Sequence, residues 1–243
     1  MSGEAVTQSL VIPCYNEAAN LPLLVARCRQ SLADHPVEVV LVDNGSIDES
    51  PAVLARLLAD STKIRSVRVE KNQGYGFGIL SGLAAARGDV LGWTHADMQT
   101  DPADFAKAAA LFDTASDQRR LFVKGRRRGR PIGDEIFTSG MAVFETFLLG
   151  KPLIDINAQP TVFHRSFFES WAAPPHDFSL DLYAYFQAKA LGLEVKRFDV
   201  VFDERAHGIS HWNINWKAKR KFIRRTIDFS FELRRRMAEE RAR

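Results

Sequence analysis

The sequence contains little cysteine, no long apolar run and no internal repeat, and each absence excludes a class of protein. Its 243 residues include only Cys14 and Cys28, too few for a disulfide framework or a cysteine-bound zinc site. No apolar segment approaches the roughly 18 residues that span a bilayer. The first residues, MSGEAVTQ, are polar, so we expect no signal peptide and a reduced, cytoplasmic protein.

The net charge is only +3, but the basic residues are concentrated in two segments. Residues 217–243 contain 11 Lys or Arg against 4 Asp or Glu, which leaves 22 against 26 in the rest of the chain. A second basic cluster lies within residues 119–130. Two basic patches on a slightly acidic body favour anionic ligands, such as phosphates, a membrane surface or nucleic acid.

Segments with strand and helix patterns alternate along the chain. Strands are predicted at 9–12, ended by Pro13, and at 37–42, 64–69, 89–93, 160–163 and 194–202. Helices are predicted at 17–33, from 50, at 75–86, from 101, and at 138–149, 178–191 and 216–237. The alternation predicts an α/β fold whose mainly parallel sheet has helices on both faces.

Polar residues follow four of these strands, at the point where each strand ends. In a sheet of this kind, ligands bind beyond the carboxyl ends of the strands. We therefore expect one site built from the segments PCYNE (13–17), DNGS (43–46), EKNQG (70–74) and HADMQ (95–99).

The segment HADMQ carries an imidazole, a carboxylate and an amide at alternate positions. In an extended chain, His95, Asp97 and Gln99 would point to the same side and offer a divalent cation up to three ligands. Mg²⁺ favours carboxylates together with substrate phosphates, and an imidazole favours Mn²⁺. The alternative is a turn-forming Asp97 and a His95 that binds no ligand.

Glycines stand out at two places. Gly74, Gly76 and Gly78 do not have the spacing of a dinucleotide fingerprint, which argues against a dehydrogenase. We expect them to permit close packing or the approach of the backbone to a ligand.

The basic, glycine-containing segment 124–130 is predicted to be a loop that orders over bound substrate.

Four motifs together resemble the family-two glycosyltransferases, most strongly the dolichol-phosphate mannose synthase-like branch. They are VIPCYNE (11–17), LVDNGSID (41–48), NQGYG (72–76) and ADMQ (96–99). The resemblance implies a GT-A fold, a nucleotide-sugar donor, a divalent cation (Mn²⁺ or Mg²⁺) and inversion at the anomeric carbon. We expect a single domain over 1–243, with a donor half (1–118), an acceptor half (119–211) and a basic C-terminal helix (212–243).

The resemblance also implies roles for individual residues. Donor-binding residues would be Pro13, Tyr15, Glu17, Asp43, Asn72, Gly74, Ala96 and Asp97, with Asp43 reading the base. Metal ligands would be Asp97 and Gln99, with His95 where the family has an acid. Acceptor-binding residues would be Arg126, Arg205, Ser210 and His211. Two further departures from the family pattern are Asn44, in place of a second acid, and His211, in place of a lysine.

The acceptor decides which residues are catalytic. A polyprenyl phosphate is already anionic and needs arginines but no base. A sugar hydroxyl, as in cell-surface polysaccharide synthesis, needs a carboxylate as general base, and Asp181 is the candidate. Arg126 and Arg205 favour the phosphate, so we expect a polyprenyl phosphate acceptor, with the hydroxyl as the alternative and Asp97 essential in both cases.

Residues 212–237 interleave aromatic and basic side chains. Such a helix can lie in the interface of an anionic membrane, here the inner face, or its apolar stripe can pack on the domain.

Two other classes of protein are disfavoured. A nucleic-acid-binding protein would place aromatics among its arginines, but Phe122 is the single aromatic in 119–130. A nucleotidyltransferase would have a glycine-rich basic loop after the first strand, where this chain has PCYNE.

Overall fold

A computed structural model describes residues 7–129, 132–202 and 216–242, in which strands and helices alternate along the chain. The strands are β1 (Gln8–Cys14), β2 (Val37–Asn44), β3 (Ile64–Val69), β4 (Val90–Trp93), β5 (Leu121–Arg128), β6 (Thr161–His164) and β7 (Glu194–Val201). The helices are α1 (Leu21–Leu32), α2 (Ser50–Leu58), α3 (Tyr75–Ala85), α4 (Ala103–Asp113), α5 (Ile132–Leu149), α6 (Arg165–Glu169), α7 (Leu180–Ala190) and α8 (Trp216–Ala242).

The strands form one sheet in the order β3-β2-β1-β4-β6-β5-β7. β6 runs antiparallel to β4 and β5, and every other neighbouring pair is parallel. All strands except β6 therefore end at the same edge, which we call the carboxyl edge. The opposite edge is the amino edge. The predicted mainly parallel α/β sheet is confirmed.

Apolar side chains cover both faces of this sheet, because alternate residues of a strand point to opposite sides. Leu10 and Ile12 of β1 pack with α1, α2 and α4, while Val11 packs with α3, α6 and α7. Val37–Asn44 is buried along its whole length, as expected for a strand covered on both faces. The result is a sheet between two helical layers, with its polar ends exposed only at the edges.

Several predicted boundaries were wrong. β1 continues through Pro13 to Cys14. The ladder between β1 and β4 stops at Val11, so Pro13 has an unpaired side on which its missing N–H is tolerated. α1 begins at Leu21 rather than Glu17, because residues 17–20 form a turn. α5 begins at Ile132 instead of residue 138.

The predicted basic loop over 124–130 was also wrong for residues 124–128. Leu121–Arg128 is a strand that pairs with β7 in parallel along its full length. Its arginines are therefore fixed by a ladder at the carboxyl edge, and within the described part of this segment only Gly129 lies outside the strand.

The C-terminal helix packs on the domain. Ser230 of α8 donates its hydroxyl to Glu145 Oε1 of α5 at 2.7 Å, and both residues are fully buried. Leu233 and Phe229 of α8 join the apolar core. The alternative in which the apolar stripe packs on the domain is confirmed for these residues. Among the described residues, no helix has the length and apolar character needed to cross a bilayer.

Candidate functional site

The loops that follow β1, β2, β3 and β4 meet at the carboxyl edge. β1 lies between β2 and β4, and Cys14, the last residue of β1, is in register with Asp43 of β2. The sheet therefore brings together the four polar strand ends, as predicted from the alternation of strands and helices.

Hydrogen bonds join the loop after β1 to the loop after β2. Asn16 donates its backbone N–H to Ser46 Oγ at 3.0 Å and accepts from the Ile47 N–H at 3.0 Å through its side chain. Glu17 donates its N–H to Ser50 Oγ at 3.0 Å. The neighbouring Tyr15 is 37% exposed, so its ring is available at the surface of a fixed loop.

Asp43 and Asn44 form the polar end of β2. Asp43 Oδ1 accepts from the Ser46 N–H at 3.0 Å, and its Oδ2 lies 3.4 Å from Arg68 Nη1. Asn44 donates its side-chain N–H to the Gly74 carbonyl at 2.9 Å. An aspartate at position 44 could not donate this bond, which explains physically why an amide can stand where the family has a second acid.

The loop after β3 approaches its neighbours closely at its glycines. Gly74 has φ +116°, and a Cβ there would lie 2.3 Å from the His176 carbonyl oxygen. A Cβ on Gly78 would lie 2.9 Å from the Asn44 side chain. Asn72 accepts from the Gly74 N–H at 2.8 Å and so shapes the turn. The prediction that these glycines permit close packing is confirmed.

The chain turns at Asp97 instead of continuing β4. Met98 has φ 60°, in the left-handed region, and Gln99 donates its N–H to Asp97 Oδ1 at 3.1 Å. The argument from an extended chain was therefore wrong for His95, Asp97 and Gln99. The ring of His95 stacks on Tyr75 with centroids 5.4 Å apart, and Asp97 is 5% exposed.

A cation at this edge would have to be shared with a bound ligand. Across residues 7–129, 132–202 and 216–242, no group of three or more His, Cys, Asp or Glu side chains could hold a metal ion alone. A cation at Asp97 would therefore take most of its ligands from a bound diphosphate. Mg²⁺ binds in this way in many proteins, through one or two carboxylates and substrate phosphates.

Asp181 lies in the first turn of α7, inside the carboxyl edge. Its side chain is 2% exposed, its Oδ1 accepts from Gln159 Nε2 at 2.7 Å, and Lys124 Nζ lies 3.7 Å away. Asp181 is thus shielded from solvent and paired with a cation. Its role as a general base stays a prediction.

Three arginines end β5, and each has an acidic partner. Asp199 pairs with Arg126 and, at 3.1 Å, with Arg128. Asp155 pairs with Arg127. Burial alone would raise the pKa of Asp155, but the positive charges of Arg127 and Arg197 outweigh it and lower the pKa below its ordinary value. These carboxylates therefore fix the guanidinium groups in place.

A cavity of about 440 Å³ lies beside these arginines, between α5, the end of β5 and residues 152–155. Its lining combines Arg126, Arg127 and Arg128 and the carboxylate Asp155 with mainly apolar side chains of α5 and of residues 152–154. Val143 and Phe147 of α5 are 56% and 84% exposed. The cavity therefore has a charged end, where arginines and Asp155 meet, and an otherwise mainly apolar wall.

Three of the predicted acceptor-binding residues, Arg205, Ser210 and His211, lie outside the described residues. The sequence reasoning missed Lys124, Gln159 and Asp155. Lys124 had a signal, since it follows the apolar run Leu121–Val123, but the surrounding basic cluster made it look like part of a charged surface.

A sheet between two helical layers, with joined polar loops at its carboxyl edge, has the architecture of a GT-A glycosyltransferase. The chain belongs to Glycosyl transferase family 2, whose sequence profile matches residues 9–170. The predicted family and fold are thereby confirmed.

Curated relatives match less than half of the chain. The undecaprenyl-phosphate 4-deoxy-4-formamido-L-arabinose transferase of Pseudomonas fluorescens is 37% identical over 114 residues, covering 45% of this chain and 33% of that protein. The protein of the same name from Sodalis glossinidius is 38% identical over 121 residues, covering 46% and 36%. The match thus spans about a third of the length of these relatives.

Solved structures share the fold at low sequence identity. Glucosyl-3-phosphoglycerate synthase of Mycobacterium tuberculosis, solved with Mn²⁺, UDP and glucosyl-3-phosphoglycerate, has a TM-score of 0.65 at 19% identity, covering 84% of this chain and 73% of that one. A mannosyltransferase of Pyrobaculum calidifontis, solved with GDP-Man and Mn²⁺, has a TM-score of 0.63 at 18% identity, covering 85% and 59%.

Proposed function

We propose that the protein is an inverting glycosyltransferase that moves a sugar from a GDP- or UDP-sugar to a polyprenyl phosphate. The observation that carries this proposal is the meeting of four polar loops at one edge of the sheet, beside a cavity that combines arginines with apolar walls. The relatives named as undecaprenyl-phosphate transferases support the acceptor.

The donor binds across the loops after β1 to β4. Pro13, Tyr15 and Glu17 line the nucleotide pocket, and Asp43 reads the base. Asn72, Gly74 and Ala96 complete the donor site. Support comes from the hydrogen bonds that hold the loops after β1 and β2 together, because a rigid pocket loses less entropy when the nucleotide binds.

Asp97 would hold a divalent cation on the diphosphate, and His95 and Gln99, which the turn at Met98 takes out of the predicted alternation, stay candidates for further ligands. An imidazole ligand favours Mn²⁺ over Mg²⁺. When bound, the cation stabilises the charge that develops on the leaving diphosphate. The structures of fold neighbours with Mn²⁺ support a divalent cation in proteins of this fold.

The acceptor phosphate binds to Arg126 and Arg205 with Ser210 and His211, and its apolar chain enters the cavity beside α5. Asp181 supports a phosphate acceptor, because a carboxylate that is 2% exposed and paired with Lys124 is poorly placed to take a proton from a sugar hydroxyl. Because Phe229 and Leu233 pack on the domain, the proposed peripheral contact of 212–237 with the inner face of the membrane would be made by exposed basic residues such as Arg224 and Arg234.

Released nucleotide tests the proposal. The protein is incubated with Mn²⁺ and a panel of UDP- and GDP-sugars, with and without a short-chain polyprenyl phosphate. We expect one donor to release nucleotide faster when the lipid phosphate is present. If a sugar acceptor with free hydroxyls accelerated nucleotide release and the lipid phosphate did not, the proposed acceptor would be contradicted. If no donor released nucleotide, the proposed reaction would be contradicted.

A further inference from the structure

Three exposed apolar side chains surround the opening of the cavity beside α5. Val143 and Phe147 of α5 are 56% and 84% exposed, Ile154 is 64% exposed, and all three line the cavity. A side chain that both lines a cavity and is exposed to solvent lies at its mouth. Protein surfaces normally scatter such side chains singly, whereas a cluster with a polar rim marks an interaction site. The mouth of the cavity is therefore the apolar centre of an interaction surface.

Phe231 of α8 extends this apolar surface. Its ring is 52% exposed and meets the ring of Phe144 edge-to-face, with centroids 6.4 Å apart. Phe144 is three residues before Phe147 on α5, and residues at this spacing are neighbours on the surface of a helix. The buried hydrogen bond between Ser230 and Glu145 fixes the two helices against one another. The exposed rings of Phe147 and Phe231 thus belong to one surface, which we call the α5–α8 face.

Basic residues flank Phe231 along the exposed side of α8. Four exposed arginines lie within roughly 60° of Phe231 around the helix axis, at about 3.6 residues per turn: Arg220, Arg224, Arg234 and Arg235. Among the described residues of this sector the acid is Asp228, whose Oδ2 lies 3.7 Å from Arg224 Nε. Four arginines against one aspartate give the α5–α8 face a positive charge, spread over roughly 20 Å of helix.

The arrangement of charge favours an anionic membrane surface over a second copy of the chain. A helix that carries aromatic side chains between basic residues lies in the interface of an anionic bilayer, where its apolar groups enter the boundary between headgroups and acyl chains. Two copies related by a twofold axis would bring the same patch against itself, so the two rows of arginines would lie close to like charges. The face therefore complements a bilayer and opposes self-association.

We infer that the α5–α8 face is a docking surface for an anionic bilayer: Phe147 and Phe231 enter the boundary region, and the exposed arginines of α8 contact the lipid headgroups. The inference rests on the proposed function, because a polyprenyl phosphate acceptor resides in a membrane. It adds α5 to the proposed contact of 212–237. Docking in this orientation places the mouth of the cavity against the bilayer, so the acceptor enters the cavity directly from the membrane.

Fluorescent labels on single introduced cysteines test the orientation. The native Cys14 and Cys28 are 0% and 1% exposed, so a thiol-reactive, environment-sensitive dye labels a surface cysteine selectively. The labelled variants are Phe147→Cys, Phe231→Cys and, as a control on α1 in the other helical layer, Leu23→Cys. They are mixed with vesicles of phosphatidylcholine and phosphatidylglycerol in equal parts. We expect the dye emission to shift to shorter wavelength at positions 147 and 231 and to stay unchanged at position 23.

Co-sedimentation with the same vesicles measures the strength of docking. F147S/F231S removes the apolar contact and should reduce the partition coefficient at least tenfold. R224E/R234E reverses two charges and should also reduce it at least tenfold, with no effect on vesicles of phosphatidylcholine alone. All four side chains are exposed, so both variants should fold, which thermal unfolding checks.

Matched controls on the other helical layer are Leu23→Ser on α1 and Arg56→Glu on α2, two exposed positions that should keep the wild-type coefficient. A reduced coefficient in either control overturns the inference, because the effect would then not belong to one face. A wild-type coefficient in either double variant overturns it as well.

The remaining outcomes separate the docking surface from the proposed function. Wild-type protein that does not sediment with the mixed vesicles, or that binds them without a dye shift at position 147, overturns the inference. A dye shift at position 147 that depends on protein concentration without vesicles, together with a dimer in light scattering, overturns it in favour of an interface between copies. Nucleotide release with a water-soluble short-chain polyprenyl phosphate needs no membrane, so its failure beside intact vesicle binding contradicts the proposed function alone.

Discussion

Buried acids occur at both edges of the sheet, but their surroundings differ. At the amino edge, Glu38 accepts hydrogen bonds from Ser9 Oγ at 2.8 Å, Arg65 Nε at 3.0 Å and the Arg87 N–H. Burial alone would raise the pKa of Glu38, but these bonds outweigh it and lower the pKa.

At the carboxyl edge, the buried polar atoms are less completely hydrogen-bonded. Several of the buried atoms without a hydrogen-bond partner among the described residues lie there: Asn44 Oδ1, Tyr75 OH, Trp93 Nε1 and Gln159 Oε1. The buried polar groups around Glu38 at the amino edge are hydrogen-bonded to one another, whereas several buried donors and acceptors at the carboxyl edge have no partner among the described residues. The difference teaches that incomplete hydrogen bonding, more than burial or charge, distinguishes the candidate site from ordinary structure.

The largest expected effect is at Asp97. Asp97→Asn removes the charge that holds the cation, and we expect transfer to fall at least 10²-fold while the Tm changes by a few degrees at most. Steady-state kinetics with the donor found in the screen, together with thermal unfolding, measure both. Asp104→Asn is the control, because Asp104 on α4 is equally buried but lies outside the site. Equal losses in the two variants would contradict the role of Asp97.

The amino edge should show the reverse pattern. Glu38→Ala leaves Arg65 and two other donors without their acceptor, and we expect unfolding to become easier by about 3–5 kcal/mol in urea titrations. The nucleotide Kd of the protein that remains folded should not change. A weaker nucleotide Kd would show that the two edges are not separate in function.

A third buried acid, Glu145, sharpens the comparison because, among the described residues, it has no cationic partner and its Oε2 accepts no hydrogen bond. Burial raises its pKa to about 7, against a lowering effect of Ser230. An acid of this kind stabilises the fold fully below its unfolded pKa near 4.5, and that stability is lost as the pH rises through about 7. We expect a loss on the order of 2 kcal/mol, measured by urea unfolding between pH 4.5 and 8.

The control for Glu145 is Glu145→Gln, which keeps the contact with Ser230 but cannot ionise. Its unfolding free energy should lack this part of the pH dependence. Identical pH profiles for the two proteins would show that Glu145 does not titrate in this range.

The smallest expected effect is at Asn44. Asn44→Asp removes the donor to the Gly74 carbonyl, and we expect a loss of about 1 kcal/mol of stability. Urea unfolding at pH 7 measures it, with Asn44→Ala as the variant that removes the same bond without adding charge. A more stable Asn44→Asp would indicate that this position tolerates the second acid.

The sequence predicted the carboxyl edge because parallel strands place their ends together whatever the loops do. Asp43, Asn72 and Asp97 could therefore be assigned to one edge before their contacts were known. The turn at residues 97–99 agrees with the alternative of a turn-forming Asp97, but the left-handed conformation of Met98 could not be predicted, since only glycine signals it in a sequence. The strand at 124–128 was not predicted, because consecutive basic residues with glycines are typical of a loop. Its pairing with β7 cannot be seen in the local sequence.

Lys124 shows the same limit at a single residue. Its burial follows from Thr161 and Asp181, which come from β6 and α7 and are distant in sequence. The cavity beside α5 likewise needs three separate segments to form. Local patterns predict elements and their order, whereas pairings of this kind appear only when distant segments are packed.

The central claim is that the carboxyl edge binds a nucleoside diphosphate through a cation at Asp97. The most direct test is the thermal shift of the wild type and of Asp97→Ala with UDP or GDP, each with Mn²⁺. A ligand at a hundred times its Kd stabilises the fold by about 2.7 kcal/mol. We predict that the wild type gains this stabilisation and that a folded Asp97→Ala does not. No shift of the wild type with either nucleotide, or an undiminished shift in the variant, would contradict it.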